Sequence, residues 1–153
     1  MDTDMQVWKP TVTVAAIVER DGRFLLVEEQ SARGAVYNQP AGHLEPGESL
    51  LEGAAREALE ETGYSMAPTA LLGVYHLHDP RTDVTYLRFA FVARIVAHHA
   101  ERKLDEGIIG CAWMTLEEIR GTRERHRSPL VSRCVEDYVA GKRYPLDVLV
   151  RHG

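Results

Sequence analysis

Three glutamates, Glu57, Glu60 and Glu61, stand at i, i+3 and i+4 of one segment. If that segment is helical, their carboxylates crowd one face and repel each other. In a solvated helix each such pair costs a few tenths of a kcal/mol, but in a partly enclosed site at ~5 Å and an effective dielectric of ~20 the Coulomb cost is nearer ~3 kcal/mol. Such a cluster wants a counter-charge. Hard oxygen donors at close quarters suit Mg²⁺ or Mn²⁺, which takes a few carboxylates, keeps waters and completes its shell with substrate phosphates. Arg56 supplies one fixed positive charge alongside; it can pair with Glu52 or Glu60, or reach back to Glu48 and orient a neighbouring carboxylate. For three glutamates taken alone, the plainer reading is a solvated helix face.

The frame around the glutamates changes that balance. Residues 42–64 read GHLEPGESLLEGAAREALEETGY. Pro46-Gly47 makes a turn, Ser49 with Glu52 three residues on reads as a capping box, and Gly63 is the left-handed residue expected just past a helix end. A helix from Leu50 to Thr62 is predicted. At 100° per residue Leu50, Leu51, Ala54, Ala55, Ala58 and Leu59 form a core-facing stripe, and Gly53 leaves open space beside the glutamates.

Gly42, Glu48, Arg56, Glu57, Glu60, Glu61, Gly63 and the apolar Tyr64 meet the pattern G-x5-E-x7-R-E-x-x-E-E-x-G, and the stretch resembles the Nudix box. The resemblance implies a hydrolase that uses divalent cations, Mg²⁺ with Mn²⁺ as a substitute, to split a diphosphate linkage. It also implies that Glu57, Glu60 and Glu61 hold metal, with Glu57 placed to activate water, that Arg56 and Glu48 brace the cluster, and that the carbonyl of Ala41 adds a ligand. Ala58 departs from the larger aliphatic usual at its position, a matter of packing. WKPTVTVAAIVE, YNQPAGHLE, YLRFAF, RSPLV and GKRYPL extend the likeness from Trp8 to Leu146, towards the phosphatase NudJ branch of the superfamily. That branch implies a monomeric enzyme releasing orthophosphate from nucleoside tri- and diphosphates or the pyrimidine pyrophosphate precursor of thiamine. The competing readings are an ADP-sugar pyrophosphatase, an RNA 5′-end hydrolase, and a non-catalytic nucleotide-binding module; the last would be expected to lose box carboxylates, and this chain keeps them all.

With 153 residues, the chain is expected to form one domain with a sizeable core. No apolar run approaches the ~20 residues of a membrane span, and MDTDMQVWKP lacks a basic and an apolar leader region, so a cytoplasmic location is expected. Cys111 and Cys134 are isolated and read as reduced, buried thiols. A net charge of −5 argues against nucleic acid as a partner and leaves a small phosphorylated substrate open, because bound metal inverts the local field.

In chain order, Thr11–Arg20 and Arg23–Glu28 read as a hairpin turning at Asp21-Gly22, EQSARGA as a polar loop, and Val36–Gly42 as a short run into the box. Ala67–Tyr75 and Thr85–Ala97 read as strands joined by the loop HLHDPRTD. Gly110–Met114 reads as a strand, Leu116–Ile119 as a short helix, and Leu130–Val139, after Pro129, as an amphipathic helix. These elements predict an α/β (α+β) fold with a mixed sheet and helices on both faces, matching the α/β/α sandwich that the resemblance implies.

Outside the box, family likeness places a further carboxylate late in the chain; Asp105 and Glu106 lie there, and Glu106 is the preferred candidate ligand. Arg88 and Arg127 are candidate phosphate partners, since a guanidinium engages phosphate oxygens in pairs. Tyr37, Asn38 and Gln39, just ahead of the box, could stack on or hydrogen-bond a heterocycle. His76 and His78 lack metal-ligand company and read as surface residues.

Overall fold

The computed structural model describes residues 7–153; the first part of the N-terminal stretch examined for a leader, residues 1–6, lies outside the described residues. The elements are β1 (Thr11–Ile17), β2 (Glu19–Arg20), β3 (Arg23–Ser31), β4 (Gly34–Asn38), β5 (Ala41–His43), α1 (Leu50–Thr62), β6 (Tyr64–Asp79), β7 (Val84–His98), β8 (Ile108–Met114), α2 (Leu116–Gly121) and α3 (Leu130–Val139). A mixed sheet runs β5-β1-β7-β6, with β1 and β7 parallel and the other pairs antiparallel. A second, antiparallel sheet runs β2-β3-β4, and β8 also pairs with β3.

Side-chain alternation along β1 explains the layering. Val14 packs with Ala54 of α1, Leu71 and Phe91, and Ala16 packs with Ala58 of α1 and Ala93. Ile17 points to the other face, where Leu72 and Ala90 meet Ile119 of α2 and Val131, Cys134 and Val135 of α3. The mixed sheet is thus covered by α1 on one side and by α2 and α3 on the other, the predicted sandwich. Among the described residues no helix is long and apolar enough to cross a membrane.

The predicted first hairpin is only partly formed. Asp21 (φ 54°) and Gly22 (φ 77°) make the turn, but only Glu19 and Arg20 pair across it, with Phe24 and Arg23. Val14 to Val18 are buried throughout, so β1 is apolar on both faces and belongs between two layers; it leaves the hairpin and lies parallel to β7, Thr11 opposite Tyr86 and Ile17 opposite Val92.

The two predicted loops are largely strand. In EQSARGA only a tight turn interrupts β3 and β4, held by the Ser31 hydroxyl donating to the Gly34 carbonyl at 2.7 Å. In HLHDPRTD, β6 continues to Asp79, and the turn closes with Asp83 N–H donating to the Asp79 carbonyl at 2.8 Å. Register shifts in β6 between Ser65 and Met66, Pro68 and Ala70, and Leu71 and Gly73 break its alternation, which hid its length. Leu71 and Tyr144 exchange backbone hydrogen bonds at 2.9 and 2.8 Å, laying the C-terminal segment on the outer edge of β6. Cys134 is buried as predicted; Cys111 is exposed, and both thiols are free.

Candidate active site

Helix α1 begins and ends where its caps dictate. Glu52 N–H donates to Ser49 Oγ at 3.1 Å and Ser49 N–H to Glu52 Oε1 at 2.8 Å, closing the capping box, and Gly63 (φ 77°) takes the left-handed cap. The 99–107 loop is tied to the helix end by His99 N–H donating to the Gly63 carbonyl at 2.8 Å and Asp105 N–H to the Glu60 carbonyl at 2.9 Å.

Arg56 is the hub of the polar face. Its Nε and Nη2 donate to Glu48 Oε2 and Oε1 at 2.9 and 2.8 Å, a paired geometry, while Nη1 donates to Glu57 Oε1 at 2.7 Å and Glu60 Oε1 at 2.9 Å. A fifth bond reaches the His43 carbonyl at 3.1 Å. Of the partners considered from sequence, Glu48 and Glu60 are met; Glu52 instead faces Arg151 at 3.3 Å. The Arg56 guanidinium holds the Glu48 carboxyl below its ordinary value, and these carboxylates in turn raise the pKa of Arg56. The open space beside Gly53 is where Glu48 sits: a Cβ there would lie 2.8 Å from Glu48 Oε1.

Glu57 turns its carboxyl onto the bare backbone of Gly42, where a Cβ would lie 1.6 Å from Glu57 Oε2. Burial pushes the Glu57 pKa up, opposed by its bond to Arg56. Replacing Gly42 by alanine is therefore expected to displace the carboxyl and lower kcat on the order of 10²-fold, since small misplacements of reacting groups cost that much. Thermal unfolding should stay near wild type because the Glu57 side chain can swing clear; wild-type turnover in that variant would free Glu57 of any need for this position.

Glu61 points elsewhere, into the core side of the site. It is only 9 % exposed, and its Oε1 accepts the Ala41 N–H at 2.9 Å. Burial, reinforced by the charges of Glu57, Glu29 and Asp105 and opposed by the Ala41 N–H, pushes its pKa up to about 8. The structure thus brings together Glu48, Arg56, Glu57, Glu60, Glu61 and Ala41. In the loop late in the chain Asp105 and Glu106 are both exposed; the Asp105 N–H bond to the Glu60 carbonyl ties Asp105 to the end of α1, and its charge, with that of Glu29 from β3, adds to the upward push on the Glu61 pKa.

Among the described residues no three acidic, histidine or cysteine side chains converge into a ready-made cation cage. Arg56 takes Glu57 and Glu60, and the Ala41 N–H takes Glu61. The donor set nevertheless fits a hard divalent cation: the side-chain donors are carboxylate oxygens, Glu61 is buried with no cationic partner among the described residues, and Gly42 keeps Glu57 free of any obstructing Cβ.

All five residues expected to bind substrate make contacts within the protein. Arg88 is 6 % exposed; its Nη2 donates to Asn38 Oδ1 at 2.9 Å and its Nη1 to Gln39 Oε1 at 2.8 Å, and Gln39 Nε2 donates to the Val131 carbonyl at 2.8 Å. These three therefore tie the strand leading to Ala41 to β7 and α3. Tyr37 packs on the core and carries the Arg125 guanidinium 4.5 Å from its ring centroid; Arg125 also pairs with Glu28. Arg127 is exposed and pairs with Glu29 at 3.2 Å. Arg88→Met should leave two buried amide oxygens without a donor and cost about 2–4 kcal/mol, a Tm drop of roughly 5–15 °C. An unchanged Tm with a raised KM would return Arg88 to the substrate.

The comparisons with known proteins agree with this geometry. A family model described as "NUDIX domain" matches residues 8–134. The chain is 41% identical over 143 residues to phosphatase NudJ of Escherichia coli strain K12, covering 94% of this chain and 92% of that protein, and equally to phosphatase NudJ of Shigella flexneri. A solved NUDIX hydrolase from Nitrosomonas europaea superposes with a TM-score of 0.92 at 52% identity, covering 94% of this chain and 98% of that one. A MutT protein from Methanosarcina mazei Go1 follows at TM-score 0.71 and 29% identity, covering 90% of this chain and 99% of that one. With a glutamate-lined helix capped and braced as the box demands, the chain belongs to the NUDIX family and stands among its hydrolases.

Proposed function

We propose that this enzyme is a Mg²⁺-dependent phosphohydrolase of nucleoside tri- and diphosphates or related small pyrophosphates, releasing orthophosphate and acting as a monomer. The observation that carries the reading is that one helix presents Glu57 and Glu60, braced by Arg56, together with a buried Glu61 held by the Ala41 N–H. Similarity to phosphatase NudJ along nearly the whole chain supports orthophosphate as the product. The residues that would hold the cation are Glu57, Glu60, Glu61 and the Ala41 carbonyl, with Asp105 the nearby carboxylate from the loop. When bound, Mg²⁺ would neutralise phosphate charge and acidify water.

The protein's own groups do the positioning. Arg56 locks Glu48 and fixes the rotamers of Glu57 and Glu60, so the site is ordered before substrate arrives. Glu57, half-buried and with its proton affinity raised, is the group placed to take a proton from the attacking water. Gly42 leaves room for the Glu57 carboxyl, and the Ala41 N–H holds Glu61.

A product-resolved assay with and without Mg²⁺ tests the reading. Orthophosphate released from nucleotides only with the cation is the expected result. Products of nucleoside monophosphate plus a second phosphorylated compound would instead make it a pyrophosphatase, and no cation-dependent turnover on any pyrophosphate would overturn the reading.

A further inference from the structure

A concave region elsewhere on the molecule has a chemistry opposite to that of the glutamates. Three separate segments meet there: the β3–β4 turn with Arg33, the β6–β7 turn with Arg81, and the stretch into α3 with Arg123, Arg127, Ser128 and Ser132, around a cavity of about 430 Å³. His126 also lines it. Among the described residues no carboxylate lines the cavity, in a chain whose net charge is −5.

Arg127 pairs with Glu29 at 3.2 Å, but Arg33, Arg81 and Arg123 are held with little neutralisation. Arg33 Nη2 donates to the backbone carbonyls of His126 and Arg127 at 2.8 and 3.2 Å, and among the described residues it has no carboxylate partner. Arg81 and Arg123 meet Asp79 and Glu136 only at 3.5 and 3.4 Å, with both guanidiniums more than half exposed, so little is lost when they turn to another anion. Ser128 Oγ accepts the Leu130 N–H at 3.1 Å at the entry to α3, whose N-terminal dipole adds to the positive potential. Arg127 joins this groove to the glutamate site: it pairs with Glu29, and Glu29 is one of the charges acting on Glu61.

We propose that this arginine groove is a subsite for a phosphoryl dianion, set beside the hydrolytic centre so that one phosphorylated ligand or the released orthophosphate is gripped there by Arg33, Arg81, Arg123 and Arg127. Planar guanidiniums from three directions match a tetrahedral oxyanion, which offers acceptors on every side. The substrate assignment rests on the phosphohydrolase reading; the anion binding does not, and it is measured without Mg²⁺.

The test is a titration of the metal-free protein with inorganic phosphate, followed by NMR of the arginine Nε–H and His126 imidazole signals. Saturable shifts confined to the groove are expected, weakened roughly tenfold or more in an Arg81→Ala/Arg123→Ala double variant, whose exposed positions leave folding intact. In the Mg²⁺ assay the same variant separates the sources of the anion. A KM raised roughly tenfold with kcat near wild type assigns the groove to the substrate, whereas an unchanged KM with loss of orthophosphate inhibition assigns it to the free product. Phosphate shifts absent from the groove, or equal in wild type and variant, overturn the proposal. An enzyme inactive on every pyrophosphate overturns the phosphohydrolase reading and leaves the phosphate titration to decide the groove.

Discussion

Glu61→Gln is expected to lower kcat by at least ~10²-fold with the fold intact, as loss of a key electrostatic group does. The amide oxygen can still accept the Ala41 N–H, so the side chain keeps its place and only the charge is lost. Stability against pH gives a second readout. The folded protein holds the Glu61 proton more tightly than the unfolded chain, with its pKa raised from 4.5 to about 8, so this group's contribution is complete below 4.5 and is lost as pH rises through about 8. The metal-free wild type should therefore lose Tm across that window, and Glu61→Gln, which has no charge to bury, should lose less and be the more stable of the two above its upper end. Adding Mg²⁺ should restore the wild type there and leave the variant unmoved. Near-normal turnover by Glu61→Gln would refute the assignment of Glu61 to the reaction.

Arg56→Met is expected to be nearly as damaging to activity and more damaging to the fold. It leaves Glu48, Glu57 and Glu60 crowded together with no cation among them, and Glu48 and Glu57 are largely shielded from water. Removing one partner of such a partly buried network costs about 2–4 kcal/mol, a Tm drop of roughly 5–15 °C. The sign of its pH dependence is fixed by Glu48. With its carboxyl held below 4.5 chiefly by the Arg56 bond, Glu48 contributes stability above 4.5 and loses it as pH falls through the lowered value. The deficit of Arg56→Met should thus be widest at neutral pH and narrow on acidification. Arg56→Lys should recover part of the stability but little of the turnover, because one ammonium cannot keep the paired bonds to Glu48 while also reaching Glu57 and Glu60. A variant as stable as wild type at neutral pH would mean that the carboxylates relax into solvent without it.

The helix and its chemistry were legible because they are local: Ser49, Glu52 and Gly63 specify α1 by contacts within one turn, and i, i+4 spacing alone puts Arg56 beside Glu60. What escaped the sequence depends on partners far along the chain. That β1 leaves its hairpin at Val18 follows from burial on two faces, which only the assembled layers create. Arg88, Asn38 and Gln39 carry functional groups suited to a ligand, and nothing local reveals that they satisfy each other. Asp105 and Glu106 are neighbours of the same type; the bond from Asp105 N–H to the end of α1 is what sets the former near the cluster. The arginine groove has no linear motif, since its members come from two turns and the stretch into α3.

The parallel pairing of β1 with β7 carries a kinetic consequence. These strands are separated in sequence by α1 and most of two sheets' worth of chain, yet they form the centre of the mixed sheet. Closing so long a loop before any contact rewards it is slow. During synthesis the apolar stripe of α1 can meet Val14 and Ala16 of β1, but its cover by Phe91 and Ala93 waits until β7 has left the ribosome.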